Sequence, residues 1–285
     1  MAQLPDSFQF SQSALQDYAD CPLRFYLRTI KGQRYPAPDS EPLRLFERQM
    51  TLGERFHLLV QQHQIGIPAD VLTAALAGDS DPDGENETLA TWFAAYLTFL
   101  ASADLPARRR AETALSMAIP SAGTRLVAKY DLLAVAPGDR AVIVDWKTTP
   151  RRPSRDYLAS RWQTIVYPYV LARAGTHLYG TLIPPERITM IYWFASAPDR
   201  PEQFTFDAAA DARAGQRIDA AIADIVARPD DEAGFPLTAD ERHCQLCVYR
   251  SYTDRGTRAG DAVNTLDDAD AATPIDFDAL DPIAF

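Results

Sequence analysis

The sequence has no long hydrophobic run and few cysteines. No apolar run among its 285 residues approaches the roughly 18 that a membrane-spanning helix requires, so we expect no such helix. The first ten residues, MAQLPDSFQF, lack the basic and apolar regions of a signal peptide, which favours a cytoplasmic protein. The three cysteines are an odd number in a compartment expected to be reducing, which argues against a disulfide framework.

Positive charge is also scarce, but it is unevenly distributed. The net charge of −11 argues at first against a polyanionic partner. Residues 254–285 alone carry −6 of it, and they contain few large apolar residues, which is typical of a disordered tail. In contrast, residues 145–161 carry +3. Because binding depends on local potential, the total charge does not exclude a nucleic-acid partner.

With 47% hydrophobic and 24% charged residues, the chain can bury the core of a large domain. Apolar residues at helical spacing predict helices at 11–30, 44–64 and 87–102. Three successive strands follow, AETALSMAIP, TRLVAKYDLLAVAP and RAVIVDWKTT, separated by turn residues. The later part of the chain is predicted to contain helices at 156–174 and 208–227 and the strand-like runs RITMIYWFA and EQFTFDA.

The predicted hairpin at 127–149 carries charges where apolar side chains are expected. Asp145 and Lys147 lie two residues apart, so they face the same side of their strand. A turn centred on Gly138 places Asp131 directly opposite Asp145, with their Cβ atoms roughly 4.5–5.5 Å apart. Two carboxylates that close repel each other unless a cation lies between them. Mg²⁺ prefers such oxygen ligands, so the hairpin predicts a metal site.

Lys147 extends this interpretation to catalysis. An ammonium group beside a bound metal stabilises developing negative charge or orients an attacking water. The three charged residues therefore suit metal-assisted hydrolysis of a phosphodiester. The spacing alone leaves an alternative open, in which Lys147 forms a structural salt bridge with one aspartate.

Further motifs surround the hairpin along the chain. They are SQSALQDYADCPLRF at 11–25, GERFH at 53–57, QTIVY at 163–167 and CQLCVYRSYT at 244–253. With VAKYDLL and IVDWKTT between them, the sequence resembles the PD-(D/E)XK nuclease superfamily, in its RecB-like branch. That branch includes the C-terminal nuclease domains of helicase–nuclease repair complexes and the CRISPR-associated RecB-like exonucleases. The resemblance extends over 11–253, with one mild departure at Ala128, where relatives usually have glycine.

The resemblance implies a fold and a division of the chain. The fold is an α/β (α+β) restriction-endonuclease-like one, with a mixed β-sheet flanked by helices and an N-terminal helical segment. Residues 1–105 would form that segment and close over the site. Residues 106–253 would form the nuclease core with its C-terminal cysteine segment, and 254–285 the acidic, disordered tail.

The resemblance also assigns roles to the charged residues. Asp131, Asp145 and the backbone carbonyl of Trp146 would bind Mg²⁺ or Mn²⁺. His57 would assist as a metal ligand, although a lone helical histidine is otherwise more often a packed or surface residue. Lys147 would act on the nucleophile.

Other residues receive secondary roles. Gln163 and Tyr167 are four apart on a helix, so they share a face and suit hydrogen bonds to a phosphate or to Lys147; a polar helix edge is the alternative. Glu112 matches an acidic position of the family and would either support the metal site or be structural. Four arginines would contact the nucleic-acid backbone without reading sequence, or form a solvated loop: Arg151, Arg152, Arg155 and Arg161.

The cysteines depart from the family pattern. Relatives with a 4Fe–4S cluster supply one N-terminal cysteine and a C-terminal C-x2-C-x5-C. The matching cysteines here are Cys21, Cys244 and Cys247, and Thr253 stands at the fourth position. Such clusters are normally held by four thiolates, which makes a cluster in this chain doubtful. The alternatives are an outside ligand such as Asp254 or water, zinc with nearby His243, or a relic that packs the chain ends together.

The resemblance therefore predicts a metal-dependent deoxyribonuclease. Single-stranded or free-ended DNA is the expected substrate, in an exonuclease acting in DNA repair, recombination or CRISPR-type processing. The sequence has no Walker A pattern, so a helicase would be a separate partner. The alternative is a non-catalytic DNA-binding or scaffold subunit of a repair complex. The presence of Asp131, Asp145 and Lys147 together favours the enzyme.

Overall fold

A computed structural model describes residues 4–5, 8–34, 41–78 and 84–256. Within these ranges, the N-terminal part contains a short strand β1 (Phe10–Ser11) and five helices: α1 (Gln12–Asp20), α2 (Pro22–Phe25), α3 (Glu41–Gln64), α4 (Ala69–Gly78) and α5 (Glu85–Ser102). A π-helical turn, Tyr26–Ile30, follows α2. Within the described ranges, no helix is long and apolar enough to cross a membrane.

Residues 108–227 form the other strands of the sheet and the helices that pack on it, and residues 228–256 follow as turns and short 3-10 segments. These strands and helices are β2 (Arg108–Ile119), β3 (Thr124–Ala136), β4 (Arg140–Lys147), α6 (Arg155–Ser160), α7 (Trp162–Ala174), α8 (Thr176–Tyr179), β5 (Ile188–Phe194), β6 (Glu202–Thr205) and α9 (Ala208–Ala227). The elements expected in the sequence are thus present in the expected order.

The sheet is mixed. β2 runs antiparallel along one edge of β3, and β1 and β4 share its other edge, β1 in parallel and β4 antiparallel. β5 pairs with β4 in parallel, and β6 closes the sheet antiparallel to β5. The parallel connection from β4 to β5 runs through α6, α7 and α8, as such crossovers require. The mixed sheet flanked by helices confirms the predicted fold class.

Hydrophobic clusters cover both faces of the sheet. On one face, α1, α7 and α9 pack over a cluster that includes Phe10, Tyr130, Ile143, Val170 and Tyr192. On the other, α3 and α5 supply Phe56, Phe93 and Tyr96, which pack with Trp146 and Trp193. A strand buried on both faces reads as a continuous apolar run, which explains the Ala141–Val144 stretch. Asp145 and Lys147 therefore stand at the end of a strand that is otherwise core.

Two predicted helices are broken in the structure. The segment 11–30 is interrupted at Cys21, which is extended with φ −159° and ψ 104°, because the following Pro22 disfavours helical backbone in the residue before it. The predicted helix 156–174 is two helices, separated by extended Arg161. There the N–H of Trp162 donates to Oε1 of Gln16 in α1, at 3.2 Å, so the break docks α7 on the N-terminal segment.

The predicted division of the chain stays a prediction. The boundary at residue 105 falls in the connection between α5 and β2. The predicted tail, 254–285, lies outside the described residues from 257 onward.

Candidate active site

The β3–β4 hairpin has the predicted register. Its pairs run from Ala136 opposite Arg140 to Leu132 opposite Val144, so the hairpin is centred on Gly138, whose φ of 75° suits a glycine. The ladder ends one pair before the two aspartates. In place of a further backbone pair, Oδ2 of Asp131 accepts a hydrogen bond from the backbone N–H of Trp146, at 2.8 Å. Asp131 is thereby fixed beside the residue that follows Asp145.

The backbone is distorted where the carboxylates meet. In the β2–β3 register, Glu112 stands opposite Asp131, but this one pair is missing from the ladder. Glu112 has a φ of 50°, a left-handed conformation that costs roughly 1–3 kcal/mol for a non-glycine residue. Tyr130 and Leu132 pack on opposite faces of the sheet, although residues two apart in a regular strand share a face. Both strands are thus distorted at the acidic pair.

His57 completes a group of three potential metal ligands. Its Nδ1 lies 3.5 Å from Oδ1 of Asp131 and 3.9 Å from Oε1 of Glu112, and its Nε2 lies 3.0 Å from the carbonyl oxygen of Trp146. Donor atoms of His57, Glu112 and Asp131 all lie within 4.8 Å of one another. Two carboxylate oxygens and an imidazole nitrogen at this separation can hold one divalent cation.

Gly53 lets α3 bring His57 to this position. It lies one helical turn before His57, and a Cβ atom built on it would stand 2.7 Å from Oγ1 of Thr148, just past the end of β4. Nearby, Nε2 of Gln49 donates to the carbonyl of Thr148, at 2.9 Å. The helix is therefore seated against the end of the strand that carries Asp145 and Lys147.

Asp145, Lys147 and Gln163 form a second group beside the first. Nζ of Lys147 lies 2.8 Å from Oδ2 of Asp145 and donates to Oε1 of Gln163, at 3.0 Å. Nε2 of Gln163 donates in turn to Oδ1 of Asp145, at 2.5 Å. Tyr167 is buried one turn along α7 from Gln163, and its interaction with Gln163 opposes the rise that burial causes in the pKa of the phenol. The ammonium is therefore fixed in position by two partners, in a site where Asp145 is 2% exposed.

The charged groups of the site shift one another's pKa values. Burial raises the pKa of Asp145 to about 6, with Lys147 opposing the shift and Asp131 adding to it. Burial would lower the pKa of His57, but Asp131 and Glu112 raise it to about 9. Burial would likewise raise the pKa of Asp131, yet the charge and hydrogen bond of His57 lower it. The raised pKa of His57 favours its protonated form, whose charge adds to those of Lys147 and Lys129 beside the carboxylates.

The structure brings the predicted catalytic and metal residues into one site, and it changes the position expected for Glu112. Its carboxylate stands among the potential ligands rather than behind them. A further charged residue joins the site: Nζ of Lys129 lies 2.8 Å from Oε2 of Glu112. The only sequence signal for Lys129 is its position two residues before Asp131.

The predicted phosphate-contacting arginines have different surroundings. Arg152 and Arg155 both form ion pairs with Glu202 in β6. The guanidinium of Arg161 lies over the Tyr157 ring, at 5.3 Å. Arg151 is exposed in the loop after β4.

The cysteine segment meets the N-terminal helices, as the sequence suggested. Burial raises the pKa of the Cys244 thiol, and the nearby Cys247 and Cys21 add to the shift. Nη1 of Arg24 donates to the carbonyl of His243, at 3.4 Å. Thr253, at the fourth ligand position, donates its hydroxyl to backbone carbonyls of its own turn. Three thiols and an engaged hydroxyl do not fit a cluster held by four thiolates.

Comparison with known proteins agrees with this geometry. The model of the PD-(D/E)XK nuclease superfamily matches residues 9–252. The crystal structure of a candidate exonuclease from Eubacterium rectale superposes with a TM-score of 0.50 at 11% identity, covering 82% of this chain and 85% of that one. At this identity, the likeness supports the fold alone.

A second solved structure, of the protein SSO0001, is also 11% identical and covers 87% of each chain. Its TM-score of 0.35 supports no conclusion. A search of curated protein sequences finds no match. The superfamily match spans most of the sequence, including every residue of the site described above, and the chain therefore belongs to the PD-(D/E)XK nuclease superfamily.

Proposed function

We propose that the protein is a metal-dependent deoxyribonuclease of the RecB-like branch. The observation that carries this proposal is the juxtaposition of two groups at the end of β4. One is the potential ligand group of His57, Glu112 and Asp131. The other is Lys147, held by Asp145 and Gln163. A ligand group beside a fixed ammonium suits hydrolysis of a phosphodiester.

The donor set fits a hard divalent cation. Carboxylate oxygens outnumber the single imidazole, which favours Mg²⁺ or Mn²⁺ over a thiolate-seeking metal. Asp131, Glu112 and His57 would hold it, with Asp145 and the Trp146 carbonyl as neighbours that complete the set. When bound, such a cation polarises the phosphoryl oxygens and lowers the pKa of a coordinated water.

The remaining side chains orient the reaction. Lys147 has its ammonium fixed by Asp145 and Gln163, so it is preorganised to stabilise negative charge that develops on the phosphoryl group. Gln163 bonds both Lys147 and Asp145, and Tyr167 lies beside it, one turn along the same buried face of α7. The bond between Lys147 and Asp145 is the salt bridge that the sequence left open as an alternative. A structural bridge has no need of the adjacent ligand group, which is why we favour a catalytic role.

We further propose that the substrate is single-stranded or free-ended DNA, cut exonucleolytically in repair, recombination or CRISPR-type processing. This finer proposal rests on the RecB-like motifs of the sequence. A helicase, where one takes part, would be a separate partner, and the arginines after β4 would contact the DNA backbone. The cytoplasmic location stays a prediction from the sequence.

Digestion of end-labelled DNA tests the proposal. Single- and double-stranded oligonucleotides are incubated with the protein in Mn²⁺, in Mg²⁺ and in EDTA. We expect cleavage only with metal, and release of terminal products from the single strand. Equal cleavage in EDTA would contradict the metal mechanism. Tight DNA binding without cleavage under every condition would favour the alternative of a non-catalytic subunit.

A further inference from the structure

A row of residues crosses the sheet from the proposed active site to its far edge. Asp145 in β4 is the register partner of Tyr192 in β5, and Tyr192 is the partner of Glu202 in β6. Register partners share a face, so Glu202 lies on the same face as Asp145. Two strand spacings separate them, which is roughly 10 Å.

Glu202 holds two arginines. Its side chain is 12% exposed, and its two oxygens accept hydrogen bonds from Nη2 of Arg152 and Nη1 of Arg155. Nε of Arg152 also donates to the carbonyl of Arg200, at 3.0 Å, and Nη1 of Arg155 to the carbonyl of Gln203, at 2.9 Å. Both guanidinium groups are thereby fixed side by side despite their mutual repulsion.

Two aromatic rings of the sheet pack against the same guanidinium groups. The Arg152 guanidinium lies 5.7 Å from the centre of the Phe194 ring, and that of Arg155 lies 4.4 Å from the centre of the Phe204 ring. Phe194 is the register partner of Lys147, so the arginine pair is continuous with the proposed active site. A planar cation stacked on a ring keeps its edges available for hydrogen bonds.

The pair retains donors that the protein does not use. Among the described residues, Nη1 of Arg152 and the Nε and Nη2 groups of Arg155 have no acceptor. The side chains are 27% and 55% exposed. One carboxylate neutralises one arginine, so the group has a net charge of +1. A single arginine would be enough to neutralise Glu202 if the ion pair had only a structural role.

We propose that Arg152 and Arg155 form a subsite for a backbone phosphate that flanks the scissile one, with Glu202 as the positioning residue. This inference rests on the proposed nuclease function. It specifies where the bound DNA strand leaves the active site. The paired guanidinium edges match the geometry of phosphate oxygens. The subsite reads charge rather than base identity, so it serves any sequence.

Replacing single phosphates tests the subsite. Oligonucleotides carry one uncharged methylphosphonate linkage at successive positions around a defined cleavage site, and initial rates are measured in Mn²⁺. For the wild type, we expect one flanking position at which the substitution raises KM about tenfold or more, the loss typical of a charge-assisted hydrogen bond. Arg155→Gln should raise KM for the unmodified strand and remove the sensitivity at that position alone.

Two further variants complete the test. Arg140→Gln is the matched control, because Arg140 also forms paired bonds with a carboxylate, Asp104, but lies at the opposite end of β4. It should leave the position profile unchanged. Glu202→Gln should weaken the position dependence, because it removes the negative charge and replaces one of the two acceptor oxygens with an NH2 group, which cannot accept from an arginine.

The outcomes separate this inference from the function itself. Suppose that the wild type cleaves DNA, but that a methylphosphonate at each position raises KM by the same factor in Arg155→Gln as in the wild type. The subsite is then wrong, and the nuclease proposal stands. If the wild type cleaves no DNA, the nuclease proposal fails, and the binding affinities of the same oligonucleotides test the subsite. An affinity profile without a position that depends on Arg155 would then overturn it.

Discussion

At the scale of single residues, Glu112 is the feature that most changes the expected site. Its left-handed backbone places a second carboxylate beside Asp131, and such strain is retained where surrounding structure enforces it. We predict that Glu112→Gln raises the Mn²⁺ concentration required for half-maximal cleavage about tenfold to a hundredfold. A loss of metal affinity of this size is typical when a metal site is disturbed.

The measurement is the Mn²⁺ concentration that gives half-maximal cleavage. Glu54→Gln is the control, since Glu54 is exposed on α3, three residues before His57. If the two variants require the same Mn²⁺ concentration as the wild type, Glu112 is not a metal ligand.

His57 makes metal binding dependent on pH. Its pKa is raised to about 9, so in the metal-free protein it is protonated at neutral pH. A metal ligand must be neutral, and binding therefore releases this proton. We predict that Mn²⁺ affinity rises as the pH increases from 7 towards 9.

Titration calorimetry at pH 7, in two buffers of different ionisation enthalpy, measures the released proton. His57→Asn should abolish the difference between the buffers. Identical enthalpies for the wild type in both buffers would contradict the assignment.

The residues that the sequence could and could not predict differ in the range of their contacts. Asp131, Asp145 and Lys147 follow from strand periodicity and a hairpin centred on Gly138, which are local features. The ligand position of Glu112 depends on a backbone distortion that no local pattern predicts. The sharing of Glu202 by two arginines depends on β6, which joins the sheet more than forty residues after Arg155.

At the scale of elements, the approach of α3 to β4 is the critical packing contact. We predict that Gly53→Ala lowers the cleavage rate, because the added Cβ would stand 2.7 Å from Oγ1 of Thr148 and displace the helix that carries His57. Adding Thr148→Ala removes that oxygen, and the next nearest atom, Cβ of Thr148, is 3.9 Å away. The double variant should therefore recover activity.

Stability distinguishes this steric effect from unfolding. Alanine is favoured over glycine within a helix by about 1 kcal/mol, so the double variant should also unfold at higher urea concentration than the wild type. A double variant that is stable but as slow as Gly53→Ala would show that the contact with Thr148 is not the cause.

The two interrupted helices differ in whether the local sequence predicts the interruption. The break at Cys21 is readable from Pro22, which constrains the residue before it. The break at Arg161 has no such local cause. It accompanies the hydrogen bond from Trp162 to Gln16, a contact across 146 residues. Periodicity therefore predicted the helical segment but not its division.

At the scale of the whole molecule, Arg24 forms buried ion pairs within the segment around Cys21 and also donates to the carbonyl of His243, at the start of the cysteine segment. Arg24 is 6% exposed and pairs with Asp17 and Asp20, at 2.9 and 3.0 Å. Removing the arginine would take away a cation shared by two buried carboxylates, of which Asp17 would keep its ion pair with Arg28 and Asp20 its hydrogen bond from Gln16. We predict that Arg24→Met destabilises the protein by about 3–5 kcal/mol, measured by urea unfolding. Arg242→Met, which removes an arginine that is 83% exposed, should change stability by less than about 0.5 kcal/mol.

The same region should function without a cluster. Because Thr253 replaces the fourth thiolate, we predict that anaerobically purified protein contains no stoichiometric iron and lacks absorbance near 400 nm. A full complement of four irons per chain would contradict this and require an outside ligand.

The most direct test of the account is the cleavage rate of Lys147→Ala in Mn²⁺, compared with the wild type and with Lys31→Ala. Lys31 also pairs with an aspartate, Asp230, but its side chain is 44% exposed outside the site. We predict that Lys147→Ala folds, binds DNA and cleaves it at least about a hundredfold more slowly, whereas Lys31→Ala matches the wild type. Cleavage by Lys147→Ala at the wild-type rate would contradict the proposed active site.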